Sequence, residues 1–337
     1  MKGSRRNSAS TLRQVLESRA AMERAVRDFF DSEGFLEVTT PAALPCPNLD
    51  PNIAPVPVTI RDFSGDPSRH WLHTSPELAM KKLVSRGAGS IYQIAQVFRD
   101  EEHTSLHRCE FSMLEWYRTE ADYENAIRDT MLLTRAAAAA VTGSEEVVWG
   151  ETMFDLAAEW EELTMAEAFR LYAGVDSIAR DDLSDALADL GYRVAADDRL
   201  EDLFFALYLE VVEPNLGMER PTIIRDYPAF LGTMAMPRED NPDVLERFEI
   251  YIGGMELANG FTELSDQEEL ARRMEGVLRD LAEAGVEGLA IDEEFIEAMA
   301  NLPPCAGVSV GLDRLLMLLL DVVDIGQVVF PFAETTI

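Results

Sequence analysis

Two neighbouring stretches of this chain carry residue types that suit a nucleotide. Phe98-Arg99-Asp100-Glu101-Glu102 is followed, after a short polar loop, by Phe111-Ser112-Met113-Leu114-Glu115-Trp116-Tyr117. Strand side chains alternate between faces, so Phe111, Met113, Glu115 and Tyr117 share one side. From Tyr92 to Arg99 the same alternation groups Gln93, Ala95, Val97 and Arg99. Two such strands joined by the loop bring Arg99 close to Phe111. An arginine fork beside a flat ring fits phosphate and base together. Glu115 and Tyr117, further along, can receive a cation. An edge hairpin with one half-solvated face gives the same pattern.

A second constellation runs from Glu246 to Glu263. Gly253-Gly254 is a strong two-residue hairpin signal. With that turn, Glu249 is expected to face Ala258, with Glu256 diagonally adjacent on the same face. Two like charges there are unfavourable without a cation, and a magnesium ion shared with phosphates resolves this. A solvent-facing acidic hairpin is the competing account. A third constellation is Gly307-Val308-Ser309-Val310-Gly311-Leu312-Asp313-Arg314, a strand running into a helix. Its glycines permit close approach of a ligand. A cation in the first helical turn is disfavoured by the helix dipole, so Arg314 points to an anionic partner or to a surface ion pair.

The elements that must position these residues are readable from periodicity. Leu12 to Phe30 has helical spacing, Gly34 ends it, and Phe35 to Thr39 reads as a short strand stopped by Pro41. Pro76 to Val84 begins a helix with Ser75 as a candidate cap. Asp122 to Val141 is helical. From about Glu145 to Leu216 the chain is acidic and reads as mostly helical, an insertion between parts of a sheet. Thr222 to Asp226, Glu246 to Ile252 and Met255 to Ala258 read as strands. Asp266 to Ala284 and Asp292 to Ala300 read as helices, and Val308 to Gly311 runs into a last helix, Leu312 to Leu320. The simplest account is one α+β domain over 12–337 with a helical insertion at about 145–216.

Composition narrows the function classes. A chain of 337 residues can bury a sizeable core. The apolar run Leu315 to Leu320 ends at Asp321, far short of the roughly 20 residues that span a bilayer, so no membrane role is expected. Residues 1–11 read as a flexible polar tail rather than a secretory signal. Cys46, Cys109 and Cys305 are isolated, with neither metal-ligand spacing nor a disulfide framework, which fits the cytoplasm. His70, His73, His103 and His107 form no spaced zinc motif. The formal charge is −33, and the lysines are only Lys2, Lys81 and Lys82. Such a field favours solubility and opposes non-specific binding to nucleic acid.

Taken together, the segments resemble the signature motifs of class II aminoacyl-tRNA synthetases, closest to the lysyl-tRNA synthetase core, from about Arg19 to Pro331. Gly34-Phe35-Leu36-Glu37-Val38-Thr39-Thr40-Pro41 resembles motif 1, Phe98-Arg99-Asp100-Glu101 through Phe111 motif 2, and Gly311-Leu312-Asp313-Arg314 motif 3. The resemblance implies the class II catalytic fold, an antiparallel sheet flanked by helices, usually a homodimer. It implies that Arg99 binds the α-phosphate and the reacting carboxylate. Glu101 and His107 would position ATP, Phe111 would stack on adenine, and Arg314 would clamp the far side. Glu249 and Glu256 would hold Mg2+. Ser75, Glu77, Glu115, Tyr117, Asn259 and Glu263 would select the amino acid, with Glu115, Tyr117 and Glu263 around a side-chain ammonium.

About 30 residues precede motif 1, too few for an anticodon-binding barrel. Thr74-Ser75-Pro76-Glu77 and Met113-Leu114-Glu115-Trp116-Tyr117-Arg118 are similar to a truncated paralogue family, the elongation factor P–lysine ligases. That resemblance implies adenylation of lysine or (R)-β-lysine and transfer to elongation factor P, with tRNA an unlikely partner. Ser309 stands where the tRNA enzymes typically have glycine and this ligase family often has alanine, so the lysine isomer stays open. Arg108 stands where asparagine is usual. A stand-alone enzyme acting on tRNA or another acceptor, and a non-catalytic amino-acid sensor, are the alternatives. The retained Arg99, Arg314, Glu249 and Glu256 speak against a sensor.

Overall fold

The computed structural model describes residues 11–232, 234–283 and 285–329. Helix α1 (Leu12–Ser32) begins with a capping box, in which Thr11 and Gln14 each bond the other's backbone N–H. Apart from Thr11, the tail expected over 1–11 lies outside the described residues. Strand β1 (Leu36–Glu37) follows, then a small sheet of β2 (Ala43–Leu44), β3 (Val56–Arg61) and β4 (Pro67–Leu72). Next come α2 (Glu77–Ser85), β5 (Ile91–Phe98), β6 (Glu110–Thr119) and α3 (Tyr123–Thr142). A hairpin of β7 (Glu146–Trp149) and β8 (Thr152–Asp155) leads to β9 (Glu161–Thr164) and to α4 (Met165–Ala168), α5 (Arg180–Asp189) and α6 (Leu200–Leu207). The chain continues through β10 (Thr222–Pro228), β11 (Val244–Ile252), β12 (Met255–Thr262), α7 (Gln267–Glu283), α8 (Glu293–Met299), β13 (Cys305–Gly311) and α9 (Leu312–Leu320).

Eight strands form the main sheet in the order β1-β5-β6-β13-β12-β11-β10-β9. The six inner strands pair antiparallel, while β1 and β9 add to the edges in parallel. The sheet is therefore antiparallel at its centre and mixed at its rims. Two elements differ from the sequence pattern. The strand expected over Phe35–Thr39 pairs only at Leu36 and Glu37, because Pro41 soon turns the chain away. The segment expected to be mostly helical from Glu145 carries β7, β8 and β9 before its helices, and β9 belongs to the main sheet.

Alternation divides the sheet into two working faces. On the back, Tyr92, Leu114, Trp116, Phe248, Ile250, Val308 and Val310 are buried beneath α1, α3 and α9. Phe30 of α1 stacks on Tyr92 with centroids 4.6 Å apart and lies 5.3 Å from Trp116. Burial of each such large apolar side chain contributes about 1.5–3 kcal/mol. The insertion helices form a separate core in which Phe169, Phe204 and Tyr208 stack. With its back fixed, the sheet leaves its front face to polar residues. Among the described residues no helix is long and apolar enough to cross a membrane.

Candidate active site

One registered row crosses the front face: Gln93, Glu115, Ser309, Asn259 and Glu249 lie side by side on β5, β6, β13, β12 and β11. The next row places Tyr117, Gly307, Phe261 and Arg247 together. The pairing of Val97 with Phe111 and of Ala95 with Met113 puts the two faces expected from alternation on the same side. The hairpin departs from its expected register. Tyr251 pairs with Glu256, but Ile250 pairs with Ala258, so Leu257 is a one-residue bulge and Glu249 faces Asn259 instead of Ala258. The bulge breaks the alternation of β12 once. It thereby lets Glu256 and Asn259, three residues apart, both turn to the front.

A cleft opens at one end of these rows, lined by Arg99, Glu102, His107, Phe111, Glu256, Ser309 and Arg314 among others. The Arg99 guanidinium lies 5.1 Å from the Phe111 ring centroid, as the strand pairing requires. Among the described residues its Nε is buried without a hydrogen-bond partner, and the nearest carboxylate, that of Glu102, is 3.8 Å away. Arg314, in the first turn of α9, donates to the Glu256 carbonyl at 3.0 Å and to His107 Nε2 at 2.6 Å. Its carboxylate contact, with Glu256, is only 3.5 Å. Burial, and then the Arg314 charge, lower the His107 pKa. The neutral ring therefore accepts at Nε2 and donates from Nδ1 to Thr104 Oγ1, 2.7 Å away. Asp313 anchors this end: it accepts from Ser112 N at 2.7 Å and pairs with Arg19. Two arginines with spare donors beside a flat ring make a site for a phosphorylated aromatic ligand. Glu101 is exposed at φ 63° and does not line the cleft, whereas its neighbour Glu102 does.

Glu249 is already partnered within the sheet. Its Oε1 accepts from Arg247 at 2.7 Å and Asn259 at 3.1 Å, and its Oε2 accepts from Tyr251 at 2.9 Å. A resident cation therefore already answers part of the repulsion between Glu249 and Glu256. Glu256 is still pushed above the usual carboxyl range by its enclosure and by Glu249. Among the described residues no cluster of three or more acids, histidines or cysteines could close around a metal. Two front-facing carboxylates are nonetheless the donor type a magnesium ion prefers, and they would supply part of its shell.

Further along the face, the acids gather in a buried nest. Ser75 Oγ and Tyr117 Oη each donate to Glu115 at 2.6 Å. Ser75 Oγ also accepts from Glu77 N at 3.0 Å, at the start of α2. Glu115 is 3% exposed, and burial, followed by the Glu77 charge, pushes it up to about 7. Glu263 is 3% exposed, and burial, only partly offset by Lys81, pushes it up to about 8. Gly307 makes the nest possible: a Cβ there would meet Glu263 Oε1 and lie 2.6 Å from Tyr117 Cε1. Ser309 sits between Glu115 and Asn259 and donates weakly to the Asn259 carbonyl at 3.4 Å.

Sequence reasoning did not assign Lys81, Arg247 or Tyr251 to the site. Lys81 Nζ donates to Glu77 Oε1 at 2.6 Å and pairs with Glu263. Its signal was the i, i+4 spacing from Glu77 on an otherwise apolar helix face. Arg247 and Tyr251 share strand parity with Glu249, which is the pattern that could have found them.

The family model for tRNA synthetases class II (D, K and N) matches residues 5–336. An elongation factor P–(R)-beta-lysine ligase homolog from Aquifex aeolicus is 39% identical over 88% of this chain and 92% of its own length. A lysine–tRNA ligase from Histophilus somni is 34% identical over 96% of this chain and 65% of its own. For the heat-inducible lysine–tRNA ligase of Escherichia coli K12 the identity is again 34%, over 91% of this chain and 60% of the relative. The chain thus spans less than two thirds of these tRNA ligases and nearly all of the Aquifex relative. With the matched family model and the motif geometry agreeing, the chain belongs to the class II tRNA synthetases of the D, K and N group and is an ATP-dependent ligase.

Proposed function

We propose that this enzyme activates lysine, with (R)-β-lysine as its preferred form, and transfers it to a lysine side chain of elongation factor P in the cytoplasm. The observation that carries the reading is the nest of buried Glu115, Glu263 and Tyr117 with half-buried Glu77, three carboxylates against the single resident ammonium of Lys81, placed along the same face as Arg99. A ligand lacking an ammonium leaves the excess negative charge of the nest uncompensated, and sites built to pair a polar group can discriminate by about 10⁴-fold or more. The near full-length match to the Aquifex relative supports the acceptor. The charge of −33 supports a protein acceptor over a polyphosphate backbone.

In the first step a substrate carboxylate oxygen bonds to the α-phosphorus of ATP, and the bond from that phosphorus to the bridging oxygen of pyrophosphate breaks. Arg99 holds the reacting carboxylate and the α-phosphate, Phe111 carries the adenine, and Arg314 holds the leaving phosphates. In the second step the acceptor amine bonds to the acyl carbon, AMP leaves, and the amine gives its proton to solvent. Charge neutralisation and positioning do the work, and no protein nucleophile is needed. Glu249 and Glu256 would hold Mg2+, which supplies countercharge to the phosphates. A homodimer formed through β1, where Leu36 is 59% exposed at the sheet edge, completes the reading.

The test is an incubation with ATP, magnesium, (R)-β-lysine and folded elongation factor P, with the intact mass of the acceptor recorded. A gain of one lysyl unit is expected, and Arg99→Ala should lower lysine-dependent ATP–pyrophosphate exchange by about 10²–10³-fold. No gain on elongation factor P, together with charging of tRNA, would replace the acceptor assignment.

A further inference from the structure

We propose that Lys81 is a positioning residue of the amino-acid pocket, a resident ammonium that holds Glu77 and Glu263 in place and sets the pocket's charge for a ligand with two ammonium groups. The inference rests on the lysine reading and deepens it.

Lys81 is 1% exposed, and its Nζ sits between Glu77 of α2 and Glu263 at the end of β12. Aromatic faces complete its surroundings: Nζ is 5.1 Å from the Phe261 ring centroid and 5.8 Å from that of Tyr117. An ammonium between carboxylates and beside rings is the environment the nest offers its substrate, so Lys81 occupies one ammonium position permanently. The neighbouring Lys82 turns the other way, to Asp292 and Glu294. The choice of lysine is informative in a chain whose 29 basic residues include just three lysines. An ammonium is a compact point charge that a guanidinium fork cannot replace in a closed pocket.

The charge count follows. Glu77, Glu115 and Glu263 against Lys81 leave two negative charges when all are ionised. A diamino carboxylic acid brings two ammonium groups to this region and sends its carboxylate toward Arg99. The groups facing Lys81 are Glu77 on α2, Glu115 and Tyr117 on β6, Glu263 beyond β12 and Cys305 on β13. Burial alone would lower the Lys81 pKa, but Glu263 and Glu77 outweigh it and raise it, so the ammonium stays charged while Glu115, Glu263 and the Tyr117 phenol are held above their ordinary values. Without Lys81, Glu263 would protonate more readily, and the pocket would lose charge near neutral pH.

The experiment compares wild type, Lys81→Met and Lys81→Met/Glu263→Gln by lysine-dependent and (R)-β-lysine-dependent pyrophosphate exchange across pH, by the KM for ATP and by thermal melting. Lys81→Met should raise the KM for lysine by at least about 10-fold near neutrality, with part of the loss recovered at higher pH and the KM for ATP within about 2-fold of wild type. Glu263→Gln alone, measured alongside, removes one ammonium ligand and sets the baseline. The double variant, which removes both partners of the ion pair, should melt near wild type yet show a lysine KM clearly above that of Glu263→Gln, because Glu77 has also lost its partner. That comparison carries the test should Lys81→Met alone fail to fold. A double variant with the same lysine KM as Glu263→Gln would make Lys81 a purely structural partner of Glu263 and overturn the inference. So would a Lys81→Met enzyme with wild-type lysine KM and pH profile. Wild-type enzyme that activates no diamino acid would instead overturn the lysine reading, and this inference with it.

Discussion

Arg314 donates to His107 Nε2 at 2.6 Å, joining the first turn of α9 to the loop between β5 and β6 across 207 residues of sequence. The contact requires a neutral imidazole, and burial together with the Arg314 charge provides one. His107→Ala removes the acceptor that aims the guanidinium. The KM for ATP should rise about 10-fold, the loss expected for a hydrogen bond to a charged group, while the KM for lysine stays near wild type. Equal rises in both would show that His107 does not belong to the nucleotide end. The pH dependence has a defined sign. A histidine with a lowered folded pKa contributes above its unfolded value near 6.5, and that contribution is lost as pH falls. Wild type should therefore weaken for ATP on acidification, and the variant should lack that limb.

The two raised carboxyls at the other end act in the opposite direction. Glu115 and Glu263 titrate at about 7 and about 8 because they are buried. Between the ordinary carboxyl range and these values the folded chain keeps protons that the unfolded chain has released. The stability this provides is full below the unfolded values and is lost as pH rises through the folded ones. A bound ammonium favours the ionised acids, so lysine binding should release protons near neutrality. The rise in melting temperature given by saturating lysine should grow between roughly pH 6 and roughly pH 8.5. A thermal shift independent of pH would remove these acids from the ammonium site.

How much of this was legible beforehand depended on whether local alternation held. Arg99 over Phe111 follows from two regular strands and a short loop, and Tyr117 bonded to Glu115 follows from parity. The Glu249 partner did not follow, because the Leu257 bulge shifts the register by one and a bulge leaves no mark in the hydrophobic pattern. Arg247 was hidden by a charge argument that counted carboxylates on one face and omitted the arginine two residues before Glu249. Lys81 was hidden for a different reason: a lysine inside an apolar helix reads as a solvated residue unless its long-range partner Glu263 is known. Glu101 against Glu102 turns on one positive φ in the loop, which residue type alone does not reveal.

Gly307 is the position where the backbone itself shapes the pocket. It lies between Tyr117 and Phe261 on the front face, and a Cβ there would collide with the Glu263 carboxylate and the Tyr117 ring edge. Both neighbours are buried, and Glu263 is tied to Lys81, so neither can swing aside freely. Gly307→Ala should therefore cost about 1–3 kcal/mol in stability, as overpacking does. Its larger effect should fall on recognition, since the methyl displaces the two groups that face the ammonium. We expect a rise in the KM for lysine well beyond any change for ATP, read by pyrophosphate exchange at a temperature where the variant is folded. A variant destabilised as expected but with unchanged lysine KM would mean that Glu263 and Tyr117 serve the fold of β13 and that the ammonium is read by Glu115 and Ser75 alone.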